Sequence, residues 1–384
     1  MSVVYADWAA TAPLCPAARG AMLPWLGETF GNPSGAYSLA RRARRAVETA
    51  RENMARALGA SSEEISFTSG GTEADNWALL SGAEAMVWRG KHILASPVEH
   101  HAVLRTLERL SKMGYTVTYL PCDRAGRVSP EALSAAIRPD TCLVTVMTAN
   151  NELGTVEPIR ELARIAHEKG ALFHTDAVQA VGHIPINVKA LDVDLLSLSG
   201  HKFGGPQGTG ALYCRRGLRL APYLTGGGQE NGLRSGTENV AGIVGMAAAL
   251  QSAVEEMETV STRLRALSLR LREGMENIPE CCLTGARDDR LPGLESYLLS
   301  HIEGEALVLA LDAAGICASS GSACSVGSME PSHVLLAAGY TAREAAGSLR
   351  LSLGRGTTEE DIDKILTVLP PLVSRLRELT MSAL

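Results

Sequence analysis

The 384-residue sequence has no excess of positive charge: 36 Lys and Arg stand against 42 Asp and Glu, a formal charge of −6. Bulk binding to nucleic acid needs a basic surface that displaces counterions, so the composition argues against that class of function. A long apolar run is also missing. The most apolar stretch, Ala241 to Leu250, is about half of the ~20 residues a membrane-spanning helix needs, so no membrane partner is expected. The opening residues, Met-Ser-Val-Val-Tyr-Ala-Asp, lack the basic start and apolar stretch of a secretory leader, and the expected compartment is the cytoplasm. The cysteines (Cys15, Cys122, Cys142, Cys214, Cys281, Cys282, Cys317 and Cys324) contain no CxxC pair and no periodic spacing. That argues against a disulfide framework and a zinc site, and reduced thiols are expected. Repeats and low-complexity linkers are absent too, so two domains packed on each other are expected, not two tethered ones.

What is present is apolar and rich in glycine. Hydrophobic residues make up 46% of the chain and charged ones 20%, enough for a large core. The 38 glycines suggest tight turns and close backbone approaches to a ligand. Between Ile65 and Cys214, short apolar runs alternate with helical patterns. The runs at Ile65–Thr68, His92–Ser96, Thr116–Leu120, Cys142–Met147, Leu172–Thr175, Asp194–Ser197 and Ala211–Cys214 predict strands, and Glu73–Trp88 and Ile159–Lys169 predict helices. Such alternation implies an α/β fold with a mainly parallel sheet of seven strands flanked by helices. Ser38 to Leu58 predicts a helix whose inward stripe is Leu39, Ala43, Ala46, Val47, Ala50, Met54 and Leu58, with its arginines, Arg51 among them, on a solvated face. From Gly242 a long helical region runs through Arg272, and a domain boundary is expected inside it, near residue 255. A terminal helix is expected from Thr358 to about Leu379.

Ser197-Leu-Ser-Gly-His-Lys-Phe-Gly-Gly-Pro-Gln-Gly-Thr-Gly210 ends a buried strand and places Lys202 in a run of Ser, Gly and His. A lysine there is expensive unless paired or deprotonated, and one use of such an amine is Schiff-base formation with a carbonyl cofactor. Phe173-His-Thr-Asp-Ala-Val-Gln179 puts Asp176 at another strand end, where a carboxylate can keep a pyridinium nitrogen protonated. Strand ends of this kind are where open α/β sheets bind ligands. Thr68-Ser-Gly-Gly-Thr-Glu-Ala-Asp-Asn76 reads as strand, glycine turn and helix start, a phosphate cradle with the Thr72 hydroxyl; the plainer reading is an N-cap by Thr72 with Asp75 in the first turn. Together these three segments point to pyridoxal phosphate (PLP).

The segments TSGGTEADN, SPVEHHAV, ANNELGTVEPI, HTDAVQ, SLSGHKFGGPQGTG, GGGQENGLRSGTEN and SSGSACSVGSMEPSHVL stand in the order found in cysteine desulfurases of the NifS/IscS type. The chain resembles that group, in the class V aminotransferase branch of the fold-type I PLP enzymes, from Tyr5 to about Leu379. The resemblance implies a large PLP-binding domain over 12–255 and a smaller α+β domain made of 1–11 and 256–384. It implies that Lys202 holds the cofactor covalently and later moves the Cα proton, and that His100 stacks on the cofactor ring as an acid/base. Asp176 would pair with the ring nitrogen and Gln179 with the ring hydroxyl. Gly71, Thr72, Ser199 and His201 would hold the phosphate, with Thr237 reaching it from the neighbouring subunit of a homodimer. Asn151 and Arg350 would fix the substrate L-cysteine, Arg350 by its bidentate fork. Two positions depart from the family pattern: Tyr37 replaces a histidine and Ala12 a threonine, so altered loop packing near the pocket mouth is expected.

From Ala318 to Ser328, nine of the eleven residues are Ala, Ser or Gly, and Cys324 sits among them. So few anchoring side chains predict a mobile loop whose thiol can travel to a substrate. On the family resemblance, Cys324 attacks the substrate sulfur, becomes a persulfide while alanine leaves, and passes sulfur to an iron–sulfur scaffold or another acceptor protein. The thiolate is the attacking form. The alternatives weighed are a selenocysteine lyase, a class V aminotransferase and a non-enzymatic sulfur carrier. A mobile thiol argues against transamination, and the joint presence of Lys202, Asp176, Thr72, His100 and Cys324 argues against the carrier.

Overall fold

The computed structural model describes residues 3–321 and 331–382, so Cys324 lies outside the described residues. After a two-residue strand β1 (Val4–Tyr5), the helix α1 (Pro16–Met22) and the helix α2 (Ser38–Leu58), seven strands form one sheet. They are β2 (Ile65–Thr68), β3 (His92–Ala95), β4 (Thr116–Tyr119), β5 (Thr141–Thr145), β6 (Leu172–Asp176), β7 (Leu195–Ser199) and β8 (Gly210–Cys214), in the order β2-β8-β7-β6-β5-β3-β4. Every predicted strand is present, with ends displaced by one or two residues. The stretch from β7 to β4 is parallel, and β8 runs antiparallel to both β7 and β2. Two reversals leave β2 pointing the same way as β7. The C-terminal ends of β2, β3, β5, β6 and β7 therefore share one edge, and every predicted motif of the large sheet leaves from that edge.

Burial explains the near-continuous apolar runs. Cys142, Leu143 and Val144 in β5 are fully buried, as strands covered on both faces must be. At the working edge, Thr68 and Ser199 both pair with Gly210, and a Cβ on Gly210 would stand 2.6 Å from the Gly70 carbonyl carbon. A side chain there would push the turn after β2 away from β7.

Helix α2 ends at Gly59 in the left-handed region, φ 72°, as a C-cap glycine does. Its stripe departs from expectation twice. Leu39 is exposed, whereas Arg51, expected on the solvated face, is buried. The Arg51 guanidinium donates to Glu230 at 2.7 and 2.9 Å and to the Ile65 carbonyl at 2.9 Å, and lies 4.6 Å from the Phe67 ring centroid. A full set of partners makes the burial tolerable; losing one member of such a pair costs roughly 3–5 kcal/mol.

The helix Val240–Met275 packs against α1 and α2. Among the described residues it is the one helix long and apolar enough to cross a membrane by length and composition, yet 50% of its most apolar window is buried inside the fold. Its first half packs into the core of the large sheet through Ile243, Met246, Leu250 and Ala253. Its second half contributes Leu264, Leu267, Leu271 and Met275 to a separate apolar cluster with Val4, Ala6, Leu349, Leu351, Ile362 and Val373. That cluster carries β9 (Cys281–Leu283), β10 (Leu294–Leu299) and β12 (Ser348–Ser352), antiparallel with β10 in the middle, and β11 (Ile316–Cys317) parallel to β1. Alternation along β12 turns Leu349 and Leu351 into this cluster and Arg350 the other way. The last helix, Glu359–Ser382, closes the chain.

Candidate active site

One cleft of about 640 Å³ opens at the C-terminal edge of the large sheet. Gly71, Thr72, His100, Asn151, Asp176, Gln179, Ser199, His201, Lys202 and Arg350 all line it. Thr237 does not; it is exposed, in the loop before the helix Val240–Met275. Tyr37 is exposed and outside the cleft, and the backbone N–H of Ala12 donates to the His201 carbonyl at 2.9 Å.

The turn after β2 starts the helix α3 (Gly71–Ala85). Its N-cap is Gly70, no side chain caps it, and so the plainer expectation of a Thr72 cap is not met. First-turn N–H groups have no intrahelical partners, and here they face the cleft from a helix end that favours negative charge. A Cβ on Gly71 would meet Val178 Cγ2 at 2.5 Å, while the side of Gly70 is open until Ser199 Oγ at 3.9 Å. The turn is thus shaped for an anion lying against bare backbone.

Lys202 ends the short 3-10 turn Gly200–Lys202 that follows β7. Its Nζ donates to the carbonyls of Ala9 and Ala10 at 2.7 and 2.9 Å. Gln179 Nε2 donates to the Ala9 carbonyl at 2.9 Å, and His201 Nδ1 lies 3.1 Å from Thr11 Oγ1. One wall of the site is therefore the N-terminal segment from Asp7 to Thr11, which leads directly into Ala12, the position that departs from the family pattern.

Asp176 is the last residue of β6, and its Oδ1 accepts from the Val178 N–H at 2.8 Å. Burial raises its carboxyl to about 6, with the Val178 N–H and the nearby Lys202 working against burial. Two deeper carboxyls flank it. Asp75 and Glu99 are both pushed well above their ordinary values by burial and by the nearness of Asp176, and Asp75 Oδ1 and Glu99 Oε2 have no hydrogen-bond partner among the described residues. Three carboxyls this close oppose one another's ionisation, and burial favours the neutral form at the deep pair ahead of Asp176. His174, beneath them, is pushed down to about 3 by burial and bonds Thr145 Oγ1 and Ser197 Oγ at 2.8 and 3.0 Å. Asp75, Glu99 and His174 were not singled out for this role, because only the fold brings them together.

His100 caps the helix α4 (His101–Lys112), its Nδ1 accepting the Ala102 N–H at 3.0 Å. That bond puts the ring proton of the neutral form on Nε2. Burial, with Lys202, His101 and His333 nearby, lowers His100 to about 4, below its ordinary 6.5. Between pH 6.5 and 4 the unfolded chain therefore takes up a proton that the folded chain refuses, and folding loses stability as pH falls through that window. His100→Asn, which keeps a capping oxygen, should lose less stability than the parent between pH 6.5 and 4.5 in urea titrations. Equal losses would show that His100 is not held neutral.

Arg350, in β12, is 4% exposed. Its Nη2 donates to Asp7 Oδ1 at 2.8 Å and its Nη1 to the Asn151 carbonyl at 3.0 Å, while Nε has no partner among the described residues. Asn151 thus contributes a backbone acceptor at the point where its side chain was expected to act.

The donor set fits PLP: an amine for an aldehyde, a buried carboxylate for a ring nitrogen, an uncapped helix end for a phosphate. Comparison with known proteins agrees in kind. The "Cysteine desulfurase IscS" of Methanosarcina thermophila is 51% identical over 377 residues, covering 98% of this chain and 93% of that protein. A solved NifS-like protein superposes with a TM-score of 0.89 at 38% identity, covering 100% of both chains. SspA, solved in complex with cysteine, superposes with a TM-score of 0.80 at 36% identity, covering 92% of this chain and 100% of that one. The aminotransferase class-V family matches residues 4–365, and with the sheet, the cleft and these relatives in agreement, the chain belongs to that family.

Proposed function

We propose that this chain is a PLP-dependent cysteine desulfurase that converts L-cysteine to L-alanine and carries the sulfur away as a persulfide on Cys324. The observation that carries the reading is the convergence of Lys202, Asp176, the uncapped start of α3 and the half-satisfied Arg350 on one cleft. When bound, PLP supplies an electron sink that makes the substrate Cα proton removable and weakens the Cβ–sulfur bond.

The residues divide the remaining work. Gly71, Thr72, Ser199 and His201 hold the phosphate from their own subunit, and Thr237, exposed here, reaches the phosphate of a second copy in a homodimer. Asp176 would keep the ring nitrogen protonated, and Gln179 would bond the ring hydroxyl. Arg350 and Asn151 orient the substrate carboxylate, and Lys202 moves the Cα proton. His100, which lines the cleft and is held neutral with its proton on Nε2, would stack on the cofactor ring and act as an acid/base. The Cys324 thiolate attacks the substrate sulfur; the sulfur–Cβ pair stays with carbon, which takes a proton to become the alanine methyl group. L-Cysteine as the substrate is supported by the relatives named for that activity and by the cysteine bound to SspA. The sulfur then passes to a scaffold for iron–sulfur assembly or to another acceptor in the cytoplasm. The two apolar clusters support a large domain over 12–255 and a small one built from 1–11 and 256–384, with the long helix passing between them.

Cys324→Ser separates this reading from its rivals. Assayed with L-cysteine and a thiol reductant that reduces the persulfide, the variant should bind PLP with the parent's visible band and release no sulfide, where the parent yields alanine and sulfide in equal amounts. Sulfide release at the parent's rate would remove Cys324 from the mechanism. Pyruvate or glutamate formation at rates matching alanine would identify an aminotransferase.

A further inference from the structure

Glu73 stands in the first turn of α3, one residue beyond Thr72, and lines the same cleft. A lone carboxylate there would oppose a phosphate dianion in the cradle, and that opposition grows steeply at close range away from bulk water. Glu73 is not alone. Arg234 Nε donates to its Oε1 at 2.7 Å and Nη2 to its Oε2 at 3.1 Å, a bidentate fork with side chains 22% and 12% exposed. Glu73 Oε2 also accepts the Ser69 N–H at 2.9 Å and the Ser69 hydroxyl, which fixes the turn leading into Gly70. Burial by itself would raise Glu73, but the Arg234 fork and Ser69 outweigh it and hold the carboxylate below its usual range.

Arg234 reaches this point from 161 residues along the chain. Its loop is braced at Leu224, whose carbonyl accepts the Ser235 N–H at 2.9 Å, and at Glu230, which takes the buried Arg51 at 2.7 Å and the Phe67 N–H of β2 at 2.9 Å. Trp77, on α3, donates to the Ala221 carbonyl at 3.1 Å and stacks on Tyr223. The loop and the cradle are therefore one braced unit, and the carboxylate beside the anion site is cancelled by a charge that only the loop supplies.

We propose that Arg234 is a positioning residue for the phosphate cradle, neutralising Glu73 so that the start of α3 accepts a phosphate monoester. The inference rests on the PLP reading and adds a residue pair outside the set assigned to it. The test titrates the apoprotein with PLP and with pyridoxal, which lacks the phosphate, and follows the visible band. Arg234→Gln should weaken PLP by about 10- to 100-fold and change pyridoxal by less than about twofold, one unscreened charge acting at short range. Adding Glu73→Gln, which keeps an acceptor for Ser69, should return PLP affinity to within about threefold of the parent. Arg234→Lys keeps the charge without the fork and should fall between parent and Arg234→Gln, which also covers the case in which Arg234→Gln fails to fold. Equal weakening of PLP and pyridoxal, no recovery in the double variant, or a lysine no better than glutamine would each overturn the proposal. A parent that takes up no PLP overturns the functional reading itself, an outcome distinct from a parent that binds and variants that do not discriminate.

Discussion

Lys202→Ala is expected to lose the visible absorption of the covalently held cofactor and to lower alanine formation from L-cysteine by at least 10²–10⁴-fold, the range for removing a positioned proton-transfer group. The geometry behind this is specific. Lys202 follows β7 directly, and the carbonyls of Ala9 and Ala10 hold its Nζ at the mouth of the cleft from one side. Asp176 approaches from the adjacent strand β6. Burial and the nearness of Asp176 disfavour ionisation of Asp75 and Glu99 beside it, which favours Asp176 as the charge near the amine. Lys202→Arg should be as inactive as Lys202→Ala, because a guanidinium keeps its proton at any working pH and forms no bond to an aldehyde. Noncovalent PLP can still settle on the α3 cradle in both variants, so phosphate-dependent retention should persist without the visible band. Either variant turning over at more than about a tenth of the parent rate would exclude Lys202 as the proton carrier.

The second large effect concerns Arg350. Arg350→Lys should raise KM for L-cysteine by about 10- to 100-fold, since a hydrogen bond to a charged group is worth roughly 1.5–3 kcal/mol. Two of the guanidinium contacts are already spoken for by Asp7 and the Asn151 carbonyl, and these fix its plane. The buried Nε–H has no partner among the described residues, and a ligand carboxylate would supply one. An ammonium cannot meet Asp7, Asn151 and a substrate carboxylate in that planar arrangement. The carboxylate contact is made in both ground and transition states, so KM should move more than kcat. Cysteamine, which lacks the carboxylate, provides the control. Its slow turnover should be the same in parent and Arg350→Lys, and an equal loss on both substrates would assign Arg350 a structural role.

Much of this protein is written in short-range patterns. The seven strands, the bounds of α2 and the placement of Lys202, Asp176 and Gly71 at strand ends were legible because a strand or helix reports its burial through the spacing of its own residues. The family motifs carried the identities of the remaining cleft residues. Beyond local departures such as exposed Leu39 and the missing Thr72 cap, the others involve partners far apart along the chain. Arg51 reads as a surface arginine until Glu230 meets it across 179 residues. Asp7, among the opening residues, reaches Arg350 across 343, and Glu73, at the start of a predicted helix, meets Arg234 across 161.

The α/β class, the seven strands and many residues facing the cleft follow from local patterns, because hydrophobic period and turn chemistry are local properties. The wall made by Asp7 to Thr11, the raised carboxyls beside Asp176 and the charge balance at the start of α3 arise only on folding. Desolvation and pairing set the charge of a buried group, and both depend on what the completed fold places against it.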